Sequence, residues 1–377
     1  MRIGIDARFY GPTGKGVGRY SQKLIENLEK IDQENDYFIF LSRENFSLYN
    51  PQNPKFNKVL SPYQYYSFKE QVFFPFQLKK FNLDLVHFLH FNVPFFYSGK
   101  FIVTIHDLIH HLPGRQGSGR SFFIYWIKKQ VYKLITSSAL KRAEKILTVS
   151  RFSKEQIVKL TKVDQGKIKV AYESADPPQK GFLEKNKELE LLKDIPYLLY
   201  VGNAFPHKNL NRLLQAFKIV YSSLDLPKLS LVLVGAMDPF FKKLQKLAFQ
   251  IGINNNVIFA GKISDPELVW LYQNALAYVF PSLIEGFGLP GLEAMSYGLP
   301  VVASNCGPLP EIYGEAVLYF NPEDMVEMAK KISRIIQDSN LRQELSSKGR
   351  EQIKKFSWLK MAEETLDVYK SVSEVRK

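Results

Sequence analysis

The sequence is poor in cysteine and histidine. Its 377 residues include one cysteine, Cys306, and six histidines. One cysteine excludes an intrachain disulfide framework and fits a reducing compartment. So few sulfur and imidazole ligands also argue against a Cys/His metal site.

Long hydrophobic runs are also missing. No apolar stretch reaches the length of a membrane-spanning helix. The chain opens directly with a strand-like segment, Met1–Asp6, so we expect no signal peptide and a cytoplasmic location. Hydrophobic residues make up 45% of the chain, as in a globular protein, and its length exceeds that of one typical domain.

Negative charge is scarce in the first half. Residues 1–175 contain 27 Lys and Arg against 14 Asp and Glu, a net charge of +13, whereas the remainder carries +1. Residues 100–170 alone carry +11. Such a one-sided field attracts polyanions or an anionic membrane surface. No nucleic-acid-binding module is recognisable, so we do not expect a nucleic acid as partner.

Aromatic residues accompany this charge in the segment Phe122–Lys133. A basic, aromatic-rich helix can lie in a lipid interface. We therefore expect peripheral binding to an anionic membrane, with Lys128 and Lys129 contributing. The alternative is a solvated charged face whose apolar stripe faces the core. That stripe consists of Phe123, Ile127, Val131 and Leu134.

Strand-like and helix-like segments alternate in both halves. Strands are predicted at Ile3–Ala7, Tyr37–Leu41, Leu83–Phe88, Phe101–Ile105, Lys145–Val149, Tyr197–Val201, Ser230–Val234, Val257–Ala260 and Ala277–Phe280. Helices are predicted at Gly18–Ile31, about Arg120–Arg142, Ser153–Leu160, Asn209–Tyr221, Phe240–Ile251, Pro266–Ala275 and within 322–355. The segment Pro51–Gln64 is expected to be irregular.

Such alternation indicates parallel sheets with helices on both faces. We predict an α/β protein with two Rossmann-like domains facing across a cleft, residues 1–175 and 176–356. In such folds, ligands bind at the carboxyl ends of the strands.

Two glutamates, Glu285 and Glu293, bracket seven residues that include a glycine-rich turn. A strand precedes the turn, and a helix is predicted to start near Leu289 with Pro290 in its first turn. Glycines let backbone N–H groups approach a ligand, and a helix N-terminus attracts phosphate. Two carboxylates beside an anion site can accept hydrogen bonds from sugar and ribose hydroxyls. The alternative is an ordinary strand-to-helix turn.

This stretch resembles the E-x7-E segment of glycosyltransferase family 4, retaining enzymes of the GT-B fold. The resemblance continues through the residues 286–290 and 294–303 and covers nearly the whole chain. It implies that residues 357–377, with a helix predicted at Ser357–Val372, pack back on the first domain as the family's closing helix. It implies transfer of a sugar from a nucleotide diphosphate sugar, with Glu285 on the donor sugar and Glu293 on the ribose. The backbone of Gly286, Phe287, Gly288 and Leu289 would then bind the diphosphate.

Other parts of the donor site follow from the same resemblance. Lys208 matches a family lysine that neutralises the leaving diphosphate. Gly202 precedes Asn203, which stands where the family commonly has an arginine. His106 follows a strand and matches a family histidine beside the donor sugar, so we assign catalytic roles to His106, Lys208 and Glu285.

The acceptor side is less fully specified. The resemblance places Gly16, Gly18 and Arg19 at the acceptor, with Lys15 or Arg19 able to meet a phosphate; a flexible turn is the alternative. A dinucleotide site is disfavoured, because the first glycine of the loop lies several residues past the strand. Aspartates never occur two positions apart, so no D-x-D motif is present and we expect neither a metal nor another cofactor.

The expected function is retaining, metal-independent transfer of a hexose to a lipid-linked or polysaccharide acceptor in envelope glycan synthesis. GDP-mannose is the first choice of donor, from the likeness of residues 202–209 to mannosyltransferase-type members. We expect the enzyme on the inner face of the cell membrane. The alternatives are a GT-B sugar-nucleotide epimerase and a non-catalytic protein that binds nucleotide sugars or polyanions.

Overall fold

The chain forms two compact units, Met1–Glu173 with Ser357–Lys377, and Ser174–Phe356. The computed structural model describes residues 1–108, 122–183, 187–224 and 228–374, except the side chains at 13, 15, 122–129, 187, 188 and 374. None of the helices in these ranges combines the length and the apolar character needed to cross a bilayer.

The first unit alternates strands and helices up to residue 170. The strands are β1 (Arg2–Asp6), β2 (Asp36–Leu41), β3 (Phe56–Leu60), β4 (Leu85–Phe88), β5 (Phe101–Ile105), β6 (Ile146–Thr148) and β7 (Ile168–Val170). The helices are α1 (Lys15–Ile31), α2 (Phe68–Lys79), α3 (Phe122–Arg142) and α4 (Arg151–Thr161).

Within the described residues, these strands form one parallel sheet in the order β3-β2-β1-β4-β5-β6-β7. Every residue of β4 and β5 is buried, as expected for parallel strands that are covered on both faces. One core cluster joins Phe74 and Leu78 of α2 to Ala139 and Leu140 of α3. Both helices therefore cover the same face of the sheet.

The second unit repeats the pattern. Its strands are β8 (Tyr197–Val201), β9 (Ser230–Val234), β10 (Val257–Gly261), β11 (Ala277–Phe280), β12 (Val301–Ser304) and β13 (Val317–Phe320). Its helices are α5 (Lys187–Glu190), α6 (Leu210–Ser223), α7 (Pro239–Gln250), α8 (Asp265–Asn274), α9 (Leu289–Ser296), α10 (Leu309–Tyr313), α11 (Met325–Gln337) and α12 (Ser339–Ile353). In the described part of this unit, the parallel sheet has the order β10-β9-β8-β11-β12-β13.

The last helix, α13 (Trp358–Glu374), belongs to the first unit and packs on α1. Tyr369 of α13 is fully buried, and its hydroxyl lies 2.7 Å from Nδ1 of His87 in β4. Nε2 of the same ring lies 2.8 Å from Oγ1 of Thr104 in β5. A buried polar network thus connects the end of the chain to the middle of the first sheet.

Two parallel α/β units confirm the predicted fold class. The expected irregular segment Pro51–Gln64 is wrong in part, because Phe56–Leu60 forms the edge strand β3 and pairs with β2. Edge strands need only one partner, so prolines and asparagines on either side are compatible with pairing. The start predicted for the helix Arg120–Arg142, and the side chains of Lys15, Trp126, Lys128 and Lys129, lie outside the described residues.

Candidate active site

Two loops of the second unit meet because their strands are neighbours. β8 pairs with β11 in parallel, so their carboxyl ends lie at the same edge of the sheet. The chain leaves β8 through a single helical turn, Pro206–Lys208, and leaves β11 towards Glu285. The amide of Leu283 donates to the carbonyl of His207 at 2.7 Å and joins the two loops.

Lys208 and Glu285 form an ion pair at this edge. Nζ of Lys208 lies 2.7 Å from Oε1 of Glu285, and the side chains are only 14% and 10% exposed. The ammonium also lies 5.7 Å from the centre of the Phe280 ring, a favourable cation–π distance. Low exposure strengthens a charged hydrogen bond relative to one in water. The structure therefore brings together two residues that the sequence assigned to separate roles.

Asn209 fixes the loop that carries Lys208. It adopts a left-handed backbone with φ of 60° and is 5% exposed. Its side-chain amide donates to the carbonyls of Pro281 and Pro322 at 3.0 and 2.8 Å. One buried amide thus holds the β8 loop against the β11 loop and the start of the chain segment after β13.

The turn after β11 is held from β12 as well. Oγ of Ser304 donates to the carbonyl of Ser282 at 2.6 Å, and Sγ of Cys306 donates to the same oxygen at 2.9 Å. Burial raises the pKa of the Cys306 thiol above its ordinary value, while its hydrogen bond to Ser304 opposes that shift. The thiol is therefore kept protonated, as its donor role requires.

The glycine turn leads into α9 with a close approach of Tyr313. Gly288 has φ of 100°, and its carbonyl accepts a hydrogen bond from the Tyr313 hydroxyl. A Cβ at Gly288 would lie 2.5 Å from that hydroxyl, so only glycine fits here. Burial, followed by the charges of neighbouring groups including Glu285, raises the pKa of Tyr313 well above its ordinary value. The hydroxyl stays a donor and fixes the turn beside the N-terminus of α9.

Glu293 lies one turn into α9, as predicted. Its side chain is half-buried, and Oε2 accepts a hydrogen bond from the Tyr272 hydroxyl at 3.2 Å. The Tyr272 ring stacks on Tyr297 with ring centres 5.5 Å apart. The carboxylate is therefore oriented by an aromatic pair.

Most of the other predicted donor-binding residues interact through backbone groups. The side chains of Phe287 and Leu289 are buried, and Phe287 packs edge-on against Phe356, so only their backbone can face a ligand. The amide of Gly202 donates to the carbonyl of Val234 at 2.9 Å. Oδ1 of Asn203 accepts from the amide of Phe205 at 3.2 Å and thereby shapes the loop after β8.

His106 lies in the first unit, immediately after β5. Its Nδ1 is 3.3 Å from Oε1 of Glu173, and its Nε2 is 3.1 Å from the carbonyl of Leu89. The ring of Tyr20 packs against it at a right angle, with centres 4.7 Å apart. Three neighbours thus fix the orientation of the imidazole.

The predicted acceptor loop also belongs to the first unit. Gly18 packs on its own loop, since a Cβ there would lie 2.1 Å from the carbonyl oxygen of Gly11. Open space surrounds the position of a Cβ at Gly16, and Arg19 is half-buried. Near this loop, a cavity of about 570 Å³ opens at the carboxyl ends of the first strands. Its lining includes Arg8, Phe9, Gly14, Arg43, Tyr65 and Lys69.

The sequence analysis did not identify the buried residues that support the loops of the site through hydrogen bonds. Asn209 was taken as a helix start, and Tyr313 was not considered. The residue type is the only local signal at position 209, because Asn, Asp and Gly are the residues that adopt a left-handed backbone most readily. The partners of these residues lie 25 to 113 positions away, so no local pattern identifies them. Among the described residues there is no cluster of three or more His, Cys, Asp or Glu that could hold a metal ion.

Comparisons with known proteins identify the family of the chain. Residues 182–352 match the family described as glycosyl transferases group 1, and residues 14–177 match glycosyltransferase family 4. The chain is 29% identical to the O-antigen chain mannosyltransferase RfbU of Salmonella typhimurium, over 87% of this chain and 89% of that protein. It is 32% identical to the O-antigen chain mannosyltransferase B of Escherichia coli, over 71% and 70%.

Among solved structures, sucrose-phosphate synthase from Thermosynechococcus elongatus matches with a TM-score of 0.77 and 20% identity, over the full length of both chains. At that identity the likeness concerns the fold, which is GT-B. The sequence matches, the Glu285–Glu293 spacing and the ion pair at the glycine turn lead to one family. The chain belongs to the glycosyltransferases that combine a family 4 domain with a group 1 domain, and it is a glycosyltransferase.

Proposed function

We propose that this enzyme transfers mannose from GDP-mannose to a lipid-linked or polysaccharide acceptor of the cell envelope, with retention of anomeric configuration. The pairing of Lys208 with Glu285 beside the glycine turn carries the proposal. The two relatives named as O-antigen chain mannosyltransferases support the choice of sugar and of acceptor class.

The diphosphate binds where positive potential converges. Backbone amides of the turn 286–289 and the N-terminus of α9 face it, and the ammonium of Lys208 neutralises the leaving group. Glu285 holds that ammonium in place and accepts hydrogen bonds from donor-sugar hydroxyls with its other oxygen. Glu293, oriented by Tyr272, binds the ribose hydroxyls.

The reaction is a front-face displacement. The bond between the anomeric carbon and the β-phosphate oxygen breaks, and an acceptor hydroxyl forms its new bond from the same face. The proton of that hydroxyl passes to the departing phosphate. His106, fixed by Glu173, contacts the donor sugar. The protein thus supplies positioning and charge stabilisation and needs no protein nucleophile.

The first unit supplies the acceptor side. Gly16, Gly18 and Arg19 border the acceptor hydroxyl, and the adjacent cavity has aromatic and cationic walls. Aromatic rings pack against sugar rings, and Arg43 complements an anionic group. These features suit a glycan carried on a phosphate- or diphosphate-linked lipid.

Neither a metal nor another cofactor takes part in this scheme. The sequence has no D-x-D motif, and Lys208 and the α9 N-terminus provide the charge that a metal would provide elsewhere. The enzyme works at the inner face of the cell membrane and is held there peripherally, because the first 175 residues carry a net charge of +13.

The test is nucleotide release with matched donors. The purified protein is incubated with GDP-mannose, UDP-glucose and UDP-galactose, each with and without extracted polyprenyl-diphosphate glycans. Release of GDP only when both GDP-mannose and acceptor are present is expected. Release of an epimerised free sugar without an acceptor would identify an epimerase. Nucleotide-sugar binding without turnover on any acceptor would identify a binding protein. Release of UDP alone would reject mannose.

A further inference from the structure

The helix α2 carries three exposed phenylalanines. Phe68, Phe73 and Phe76 are 78%, 50% and 60% exposed. Exposed aromatic side chains grouped on one surface mark an interaction site, because water does not favour them. Of the seven phenylalanines that are exposed among the described side chains, five lie on α2 and the loop 94–97.

Three lysines share the face of the phenylalanines. Lys69, Lys79 and Lys80 are exposed. At 3.6 residues per turn, the three lysines and three phenylalanines fall within about 140° of helix circumference. The single carboxylate of α2, Glu70, is fully buried and binds Arg8 at 2.7 Å. The outer face of α2 therefore carries aromatic rings, and all of its charged side chains are positive.

A neighbouring loop extends this surface. Phe95 and Phe96 are 48% and 63% exposed, and the amide of Phe95 donates to Oε1 of Gln71 on α2 at 2.8 Å. Arg142, at the end of α3, donates to the carbonyls of Phe95 and Tyr97 at 3.1 and 2.6 Å. The outer face of α2 and the loop 94–97 together are named the α2 face.

The helix under the α2 face is anchored in the core of the first unit. Phe74 and Leu78 are buried in the core of the first unit. The Ser67 side chain caps the helix by accepting the Glu70 amide at 3.1 Å, and the Arg8 guanidinium lies 4.1 Å from the Phe74 ring centre. The phenylalanines are therefore exposed on a well-packed helix, and their exposure is not caused by unwinding of its ends.

We propose that the α2 face docks the enzyme on an anionic lipid bilayer, with the phenylalanines in the interface and the lysines at the headgroups. A face that combines aromatic and basic residues suits that boundary, because the rings enter the apolar layer while the lysine side chains extend back to the phosphates. A second copy of the chain is disfavoured as occupant. A two-fold contact would set the same lysines against one another.

The inference rests on the proposed function only in that a lipid-linked acceptor places the enzyme at a membrane. It differs from the surface expected from the sequence, Phe122–Lys133, of which the side chains 122–129 lie outside the described residues. Because both surfaces lie in the first unit, they are distinguished by reversing the charge of each one in a separate variant.

The experiment is co-sedimentation of the full chain with vesicles, without donor or acceptor. Vesicles of phosphatidylcholine are compared with vesicles that contain phosphatidylglycerol. Wild type should bind the anionic vesicles. The triple change of Lys69, Lys79 and Lys80 to Glu should weaken binding by about 100-fold or more, since each lysine near an anionic surface contributes about fivefold. Phe68→Ser with Phe76→Ser should weaken it at least about tenfold.

A matched control lies on α7 of the second unit. Lys242, Lys243 and Lys246 are exposed, and Phe249 is 73% exposed. Changing these three lysines to Glu alters the net charge equally, and Phe249→Ser removes an equally exposed ring. Both control variants should bind vesicles like the wild type. The side chains altered on α2 and α7 are exposed, and circular dichroism verifies that each variant is folded.

Four outcomes would overturn the proposal. In the first, the wild type does not bind anionic vesicles; in the second, the α2 and α7 variants lose vesicle binding equally. In the third, Lys128→Glu with Lys129→Glu abolishes vesicle binding but the α2 variants do not. In the fourth, the protein is a dimer in solution, and Phe68→Ser with Phe76→Ser dissociates it. Transfer to a water-soluble acceptor is measured in parallel. Vesicle binding without transfer contradicts the proposed function alone, and transfer without vesicle binding contradicts docking alone.

Discussion

The ammonium of Lys208 lies 2.7 Å from the carboxylate of Glu285, although the two residues are 77 positions apart in sequence. Both side chains are mostly buried, and the two charges balance each other there. An anionic donor that approaches Lys208 therefore meets a cation whose position is already determined. Pre-positioned charge of this kind stabilises a transition state without reorganisation during the reaction.

Changing either partner should lower turnover. Lys208→Ala should reduce kcat by about 10²-fold or more, the scale for losing one transition-state charge. Glu285→Ala should reduce kcat more than it weakens nucleotide affinity, because it frees Lys208 and removes a sugar contact. The double variant should lose less than the product of the single losses, since the residues act together.

Steady-state kinetics of the three variants measures this coupling. Lys348→Ala is the control, because its ammonium also lies 2.7 Å from a carboxylate, that of Glu344, but at an exposed position. It should leave kcat unchanged. Near-normal turnover in Glu285→Ala would remove that residue from the site.

Glu293 should govern nucleotide affinity. Glu293→Gln should weaken GDP binding by about 1–3 kcal/mol, the range for one hydrogen bond to a charged group. Tyr272→Phe should have a smaller effect in the same direction, because it removes only the hydroxyl that orients Glu293. Isothermal titration with GDP and UDP measures both. A larger effect for Tyr272→Phe than for Glu293→Gln would contradict ribose binding by the carboxylate.

Chelation should not stop the reaction. If Lys208 and the α9 N-terminus neutralise the diphosphate, transfer persists in EDTA at its normal rate. The assay is GDP release with acceptor, before and after extensive dialysis against the chelator. Complete loss that Mn²⁺ or Mg²⁺ restores would contradict metal independence.

Acid should destabilise the first unit through His87. Burial, with a smaller effect of the nearby His106 ring, lowers the pKa of His87 to about 3 from an ordinary 6.5. The unfolded chain therefore binds a proton that the native chain excludes. The stability contributed by the neutral ring is present above pH 6.5 and is lost as the pH falls towards 3. Between pH 7 and 5 the loss is about 2 kcal/mol.

Urea unfolding at pH 7 and pH 5 measures this loss against His87→Gln. The glutamine can still bond Tyr369 and Thr104 but does not titrate. We expect the variant to be less stable at pH 7 and to lose about 2 kcal/mol less on acidification. An equal pH dependence of the two proteins would show that His87 is not responsible.

Much of the second unit could be predicted because its signals are local. β8, β9 and β11 begin and end where the sequence predicts, and α9 begins at Leu289. Buried parallel strands are short apolar runs between turns, and the glycine turn with its two glutamates lies within nine residues. The placement of Glu293 in the first turns of α9 followed from the same local pattern.

The helix α2 could not be predicted in this way. Its inner face has Phe74, Pro75 and Leu78, and its outer face has Phe68, Phe73 and Phe76. With apolar residues on both faces, the 3.6-residue period disappears, and a proline within the helix obscures it further. The exposed face emerges only when the core is known.

The pairing of Lys208 with Glu285 was also beyond the sequence. It depends on β8 and β11 being neighbours, although two strands and three helices separate them in the chain. Asn209 acts through the same adjacency. Local patterns identified the residues, but strand order determines which of them touch.

The contact between Tyr369 and His87 has a consequence for synthesis of the protein. The first sheet lacks its partner in α13 until the whole second unit, which is continuous from Ser174 to Phe356, and then α13 itself have left the ribosome. We therefore expect the later-made unit to reach its native state first. The earlier-made unit would remain incomplete, with two side chains that face Tyr369 uncovered: His87, and Tyr37, whose ring centre lies 6.4 Å from that of Tyr369. A chain that ends before Trp358 would leave both uncovered permanently.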